Sequence, residues 1–399
     1  MIATYQDFLG DSKNIKKIFS PYRVCPLGAH VDHQHGLVTG FAINKGVEFW
    51  FAPTAEETID IRSLTFEGAV TIDLQQRLEA RQGNWGDYVR GAVYALRKRF
   101  VLQHGIRGVI KGSLPIGGLS SSAAVLVAYV NALAEANGIM LKKMEVINIT
   151  SEAEREYVGL NNGVLDQACV TLSKKNHLLY FDTDNNNYRL LPKNAEMPEF
   201  EIGIFFSGLT RSLISSDYNL RVNECKTAAW DILAFKELPL NIQEKTFLRD
   251  IPEEFYLETK AKLPPRFARR AEHFYSECKR VRMGVSAWER GDLHAFGNLI
   301  LESCESSVKN YECGSPELIA LYEIMRETAG IYGGRFSGAG FKGACVALIN
   351  PEYKQTIEQE VTAKYLEKFP QYKDSFEVHF CEINNGAEFV QSTDYQNIE

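Results

Sequence analysis

Apolar and polar positions alternate in two rhythms along this chain. Val38 to Phe51 is rich in β-branched and aromatic residues and predicts a strand, and Val70 to Leu74 predicts a short one. From Trp85 to Phe100 the spacing of Tyr88, Val89, Val93 and Leu96 is helical. Gly108 to Gly112 predicts a short strand, and a helix-like run extends from Ala123 to Ala136. Met144 to Tyr157 predicts a helix ending at Gly159, a C-cap residue. His177 to Asp182 predicts a strand closed by the polar turn Asn185 to Asn187. A second half begins near Glu201 with the apolar run Ile202 to Phe206. Helices are expected over 219–235, 268–290, 316–329 and 351–368, with strands over 344–349 and 376–381. Strands and helices mixed in both halves imply an α+β chain of two domains.

Composition narrows the class. The 399 residues carry a net charge of −7, and no Lys/Arg block stands out, which argues against a nucleic-acid or membrane-surface role. No apolar run approaches a membrane span. Residues 1–5 show no basic segment leading into an apolar core, so no signal peptide is expected. Eight cysteines are scattered without Cys-x-x-Cys pairs, as in a cytoplasmic protein with reduced, buried thiols.

Four stretches carry candidate chemistry. The first is Leu114-Pro115-Ile116-Gly117-Gly118-Leu119-Ser120-Ser121-Ser122. Glycines admit close backbone approach, and a helix start offers unpaired N–H groups and partial positive charge, together a place for phosphate. Hydroxyls stand where a P-loop would have lysine. The alternative is a plain serine N-cap on a buried helix. The second stretch, Arg23 to Gly36, holds one arginine, three histidines and Asp32. It reads as a zinc site on His30, His33 and His35, as a polar turn, or as a grip for sugar hydroxyls, since Asp accepts and His donates or accepts. The third pairs Glu154 with Asp166 across a glycine-bounded loop: one carboxylate for Mg²⁺ and one for a substrate hydroxyl, or a surface acid and an N-cap. The fourth, Gly333 to Ala344, has five glycines in twelve residues before an apolar strand, and suits close backbone approach to another backbone or a phosphate.

In this order and spacing the stretches resemble the galactokinase branch of the GHMP kinases. Trp85-Gly86-Asp87-Tyr88, the segment Ser207 to Cys225, Glu302-Ser303, Tyr311 to Leu318 and Asn385-Gly386-Ala387 also match it. The resemblance implies an N-terminal domain like ribosomal protein S5 domain 2, here 1–198, and a ferredoxin-like C-terminal domain, here 199–399. It implies an ATP- and Mg²⁺-dependent sugar-1-kinase. Asp166 would be the catalytic base at the anomeric hydroxyl, with Arg23 neutralising charge beside it. Gly117 to Ser122 would cradle phosphate, Ser122 and Glu154 would ligate Mg²⁺, and Trp85 and Tyr88 would line the base. His30, Asp32, Gly163 and Tyr218 would face the sugar, and Gly338 and Gly340 would support the site.

One departure bears on the substrate. Galactokinases carry Glu where this chain has Ala29, and that Glu takes the sugar's C6 hydroxyl. Against a C6 carboxylate a Glu would cost about 4 kcal/mol at ~4 Å and an effective dielectric near 20. Ala29 removes that repulsion, and the run Pro21 to His33 resembles galacturonokinases. Arg211 is the candidate partner for the uronate; the alternative is a structural arginine. Cys25, Cys304 and Ala339 also depart from the family pattern without removing a catalytic group. The expectation is a kinase for D-galacturonic acid. Galactose, or a non-catalytic sugar and ATP sensor, are the rival readings. The partners implied are small molecules, with no nucleic acid or membrane; the oligomeric state is left open, a monomer being one of the options.

Overall fold

The computed structural model describes residues 6–10, 14–160, 163–209, 217–237 and 246–390. The first half runs α1 (Gln6–Leu9), β1 (Lys16–Val24), β2 (Leu37–Pro53), β3 (Thr58–Ser63), β4 (Ala69–Asp73), α2 (Gly86–Arg97), β5 (Ile106–Gly112), α3 (Ser121–Ala136), α4 (Lys143–Glu152), α5 (Leu165–Leu172), β6 (His177–Asp182) and β7 (Asn187–Pro192). The second half runs β8 (Glu201–Phe206), α6 (Asp217–Phe235), α7 (Glu253–Thr259), α8 (Pro265–Glu289), α9 (Leu293–Ser306), α10 (Pro316–Glu327), β9 (Ile331–Phe336), β10 (Ala344–Ile349), α11 (Lys354–Lys368), β11 (Glu377–Cys381), β12 (Ile383–Asn384) and β13 (Glu388–Val390).

The long β2 organises the first sheet. It pairs with β1, β5, β6 and β12, while β3 joins β5 in parallel. Its inward residues Phe41, Phe49 and Phe51 are wholly enclosed. Helix α3 is apolar on nearly every side, as suits a helix with no solvated face. Ala123, Leu126, Val127, Val130 and Leu133 are all buried, and α3 packs on β1, β2, α2, α4 and α5. This fixes the start of α3, and with it the glycine loop, against the sheet.

The second sheet has the order β11-β8-β10-β9, antiparallel throughout, which is the order expected of a ferredoxin-like unit. Its β10 is buried along its whole length. The short strands β12 and β13 then return to the first sheet, on β2 and β1. Residues 383–390 therefore tie the second half back to the first sheet.

Two local details differ from the sequence expectation. The helix expected over Met144 to Tyr157 is α4 followed by a wider π turn, Ala153–Val158, closed by Gly159 at φ 80°. Such turns often mark functional sites, and this one carries Glu154. Within the glycine-rich stretch Gly333 to Ala344, residues up to Phe336 form strand β9, so the turn proper is 337–343.

Candidate active site

Strand β1 delivers Arg23. Pro21 has no N–H for the ladder, and the β1–β2 register shifts between Pro21 and Arg23. A bulge of this kind re-aims a side chain. Arg23 Nε donates to Asp166 Oδ1 at 2.7 Å, and its Nη1 donates to the Gly118 carbonyl at 2.8 Å. Asp166 lies in the first turn of α5, where the helix dipole favours a carboxylate. The arginine side chain is almost wholly enclosed, at 5% exposure, and the aspartate remains reachable at 17%.

The glycine loop closes over this pair. Ser120, the residue before α3, is left-handed at φ 56° and makes no helix cap. Its hydroxyl donates to Asp166 Oδ2 instead. The start of α3 thus has no side-chain cap and no acid in its first turn. Its N–H groups and dipole are left for an anion. The second glycine turn packs backbone to backbone on the loop. A Cβ on Gly117 would lie 2.8 Å from Gly343 Cα, and one on Gly338 would lie 2.9 Å from Gly118 Cα. Ser337 Oγ donates to the Gly118 carbonyl at 2.7 Å. Gly340 faces elsewhere, onto the Phe336 ring and Cys313.

Beside the loop opens a cavity of about 580 Å³. Trp85, Tyr88, Leu114, Ile116, Ser121 and Ser122 line it, as does Arg81, which the sequence reading missed. Pro115 is exposed and not among the cavity's lining residues, whereas Leu119 is buried and its carbonyl accepts from the backbone N–H of Arg23. Trp85 is held by its indole N–H on the Glu67 carbonyl. Glu154 is buried at 1% exposure, and Gln167 Nε2 donates to it at 2.6 Å. Its charge acts on both Tyr88, in the cavity, and Tyr218.

A second cluster near Asp166 is built around Asp32. Its carboxylate accepts from the backbone N–H of His33 at 3.0 Å and of Leu165 at 3.4 Å. Any Cβ on Gly163 would collide with it, at 2.1 Å from Oδ2, which explains the glycine. Enclosure, and then the charge of Asp166, push the Asp32 carboxyl up to about 6. Half-buried Tyr218 sits edge-on to His33. Burial and the Asp32 charge raise its phenol well above the ordinary value, so it stays protonated. His30 is left-handed at φ 61° and stacks on Tyr311 at 4.4 Å between centroids. Strain of this kind in a non-glycine residue gathers at functional sites.

A wall from the second half backs the Ala29–His30 turn, and the sequence reading did not foresee it. Glu277 accepts from Gly28 N–H at 2.7 Å, from Ser303 Oγ at 2.5 Å and from Arg280 Nε at 2.7 Å. Arg335, at 1% exposure, lies 3.8 Å from the same carboxylate. Burial opposes the charge on Glu277, but Arg280, His273 and Arg335 outweigh it and hold the carboxyl down at about 2. His273 Nε2 lies 2.9 Å from the Ala29 carbonyl. Burial lowers His273 to about 4, His33 to about 3 and His30 well below the ordinary value, so all three imidazoles are neutral near pH 7.

The zinc alternative does not fit this geometry. His30 stacks on Tyr311, His33 Nε2 lies 3.1 Å from the Tyr311 hydroxyl, and His35 stacks on Phe247 beside Asp184. Among the described residues no group of three or more His, Cys, Asp or Glu could hold a metal ion. All eight cysteines are free and buried. Arg211 lies outside the described residues. No helix among the described residues is long and apolar enough to cross a membrane.

Comparisons with known proteins establish the family. Residues 87–174 match the GHMP kinases N terminal domain, and residues 285–367 match the GHMP kinases C terminal domain. The chain is 38% identical to a galacturonokinase of Arabidopsis thaliana over 401 residues, covering 94% of each chain. It is 31% identical to a galactokinase of Limosilactobacillus reuteri, covering 92% of this chain and 94% of the other. Its fold matches Lactococcus lactis galactokinase, solved with galactose, at a TM-score of 0.88 and 24% identity over 97% of this chain and 98% of that one. The chain belongs to the GHMP kinases and, within them, to the sugar kinases of the galactokinase family.

Proposed function

We propose that the chain transfers the terminal phosphoryl group of ATP to the anomeric hydroxyl of D-galacturonic acid. The observation that carries the reaction is the Arg23–Asp166 pair at 2.7 Å, enclosed between the glycine loop and Asp32. Phosphoryl transfer asks chiefly for positioning and charge neutralisation. Asp166 already accepts from Arg23 and Ser120, yet a carboxylate has about four acceptor sites, so it can also take the sugar's hydroxyl proton. Arg23 offsets the charge that develops there. Asp32, His30 and Tyr218 hold the remaining hydroxyls, and Trp85 and Tyr88 flank the base. Gly163 leaves room for the Asp32 carboxylate. The phosphates lie at the start of α3.

Ser122 and Glu154 offer hard oxygen donors, which suit Mg²⁺. Glu154 is buried, oriented by Gln167, and its charge acts on both Tyr88 and Tyr218. When bound, the ion would offset phosphate charge. We place the protein in the cytoplasm on its cysteine usage, and divide it near residue 198.

Ala29 supports a uronate over galactose. No anion stands at that position, and the buried Arg335 and the part-buried Arg280 share the single carboxylate of Glu277 behind it. ADP release measured with galacturonate and galactose side by side tests the substrate. Galacturonate should turn over with the higher kcat/KM, and Ala29→Glu should shift the ratio toward galactose. Better use of galactose by the parent protein refutes the uronate reading. Binding of both ligands without ADP release favours a sensor.

A further inference from the structure

The phosphate loop contains no cation. From Leu114 to Ser122 the sequence offers only apolar residues, glycines and serines. Arg23 is committed to Asp166 and the Gly118 carbonyl, and Arg81, on the cavity wall shared with Ser121 and Ser122, holds its guanidinium against Gly159 and not on the loop itself. A nucleoside triphosphate brings several negative charges to this place. Backbone N–H groups and a helix dipole offset only part of them.

The fold carries a lysine to the loop from the other half of the chain. The turn 337–343 lies directly on it: Gly343 against Gly117, and Gly338 against Gly118. Gly343 has no room for a side chain, since its Cβ would lie 2.7 Å from the Gly117 carbonyl carbon. Lys342 precedes it, so its Cα is one peptide, about 3.8 Å, from an atom in contact with the phosphate loop. Lys342 is exposed amid buried neighbours, and its ammonium has no acidic partner among the described residues. The lysine's long flexible stem carries a compact charge well suited to phosphate.

We infer that Lys342 is a nucleotide-binding residue that supplies the phosphate loop's missing cation. It would pair with the β- and γ-phosphates of ATP, closing the site only when the turn 337–343 is seated on Gly117 and Gly118. The inference rests on the kinase reading above.

Calorimetric titration of ATP, ADP and adenosine into the sugar-free protein tests it, with galacturonate titrated separately. Lys342→Ala should weaken ATP binding roughly tenfold or more, as for loss of one charge-assisted contact to phosphate, and leave adenosine and galacturonate unchanged. Lys342→Arg should restore most of the ATP affinity, and added salt should erode the parent's advantage. Equal ATP affinity in Lys342→Ala and the parent overturns the inference while the kinase reading stands. A loss confined to galacturonate also overturns it, assigning the charge to the uronate. An equal loss for adenosine marks a purely structural role. If the parent binds no ATP, the kinase reading itself falls and takes this inference with it.

Discussion

The two sides of the cleft are made in different ways. The phosphate side is local: eleven residues from Leu114 to Ala124 supply a turn, a helix start and three hydroxyls. Its geometry depends on backbone, with glycines where a Cβ would strike the turn 337–343. The sugar side is assembled from afar. The Ala29–His30 turn rests on Glu277 and His273 from α8, Ser303 and Ser306 from α9, and Arg335 from β9. The serines of the glycine loop are partly open. The polar groups behind the sugar turn are buried and satisfied by one another. The first side should therefore fail in chemistry when altered, and the second in folding.

The largest effect should come from the chemistry. Asp166→Asn keeps the shape but removes the acceptor of the hydroxyl proton. Its kcat should fall about 10²- to 10⁴-fold, with sugar and nucleotide binding largely retained. Steady-state kinetics with direct binding measurements decide this; a near-parental kcat removes Asp166 from its role. Glu277→Ala should do the opposite. It leaves Arg335 and Arg280 without their shared carboxylate in a buried setting, a loss of about 3–5 kcal/mol. Urea denaturation should show a much lower midpoint for Glu277→Ala than for Asp166→Asn. Equal midpoints would erase the contrast between the two sides.

What the sequence made legible follows the same division. The glycine loop and α3 could be read directly, because a turn before a helix is written in consecutive residues. Arg23 and Asp166, which are 143 residues apart, came together on paper only through the resemblance to a family. The wall was not legible. His273, Glu277 and Arg280 recur at helical spacing along α8, but such a stripe looks the same whether it faces water or a buried partner. Strand β1 was missed because Pro21 interrupts its pattern, and β9 because Gly333 and Gly334 read as turn. In both cases tertiary pairing overrode local preference.

Acidity offers a milder probe of the sugar side. The Asp32 carboxyl is pushed up to about 6, above its unfolded value. A raised acid stabilises the fold while protonated, and that contribution is lost as pH rises through 6. Substrate binding has the reverse sign, because the ionised form is the better acceptor for sugar hydroxyls. Below pH 6, kcat/KM for the sugar should therefore fall by up to about tenfold per pH unit, while nucleotide affinity measured without sugar stays flat. In Asp32→Asn the acid limb should vanish from an already weakened enzyme. An unchanged limb would assign the titration to another group.

The smallest effect belongs to the seam between the two sides. Ser337 Oγ donates to the Gly118 carbonyl at 2.7 Å and accepts from Arg23 Nη1 at 3.4 Å. It couples the turn 337–343 to both the glycine loop and Arg23. Ser337→Ala removes one good hydrogen bond, worth about 1 kcal/mol or a fivefold drop in kcat/KM. Arg23 keeps its bonds to Asp166 and Gly118, so its charge should still be in place. The loss should therefore appear as weaker ATP binding, with the sugar's affinity unchanged, since the loop and not the sugar pocket is loosened. An equal rise in both dissociation constants would mean that the seam holds the whole cleft, and that the two sides are less independent than their construction implies.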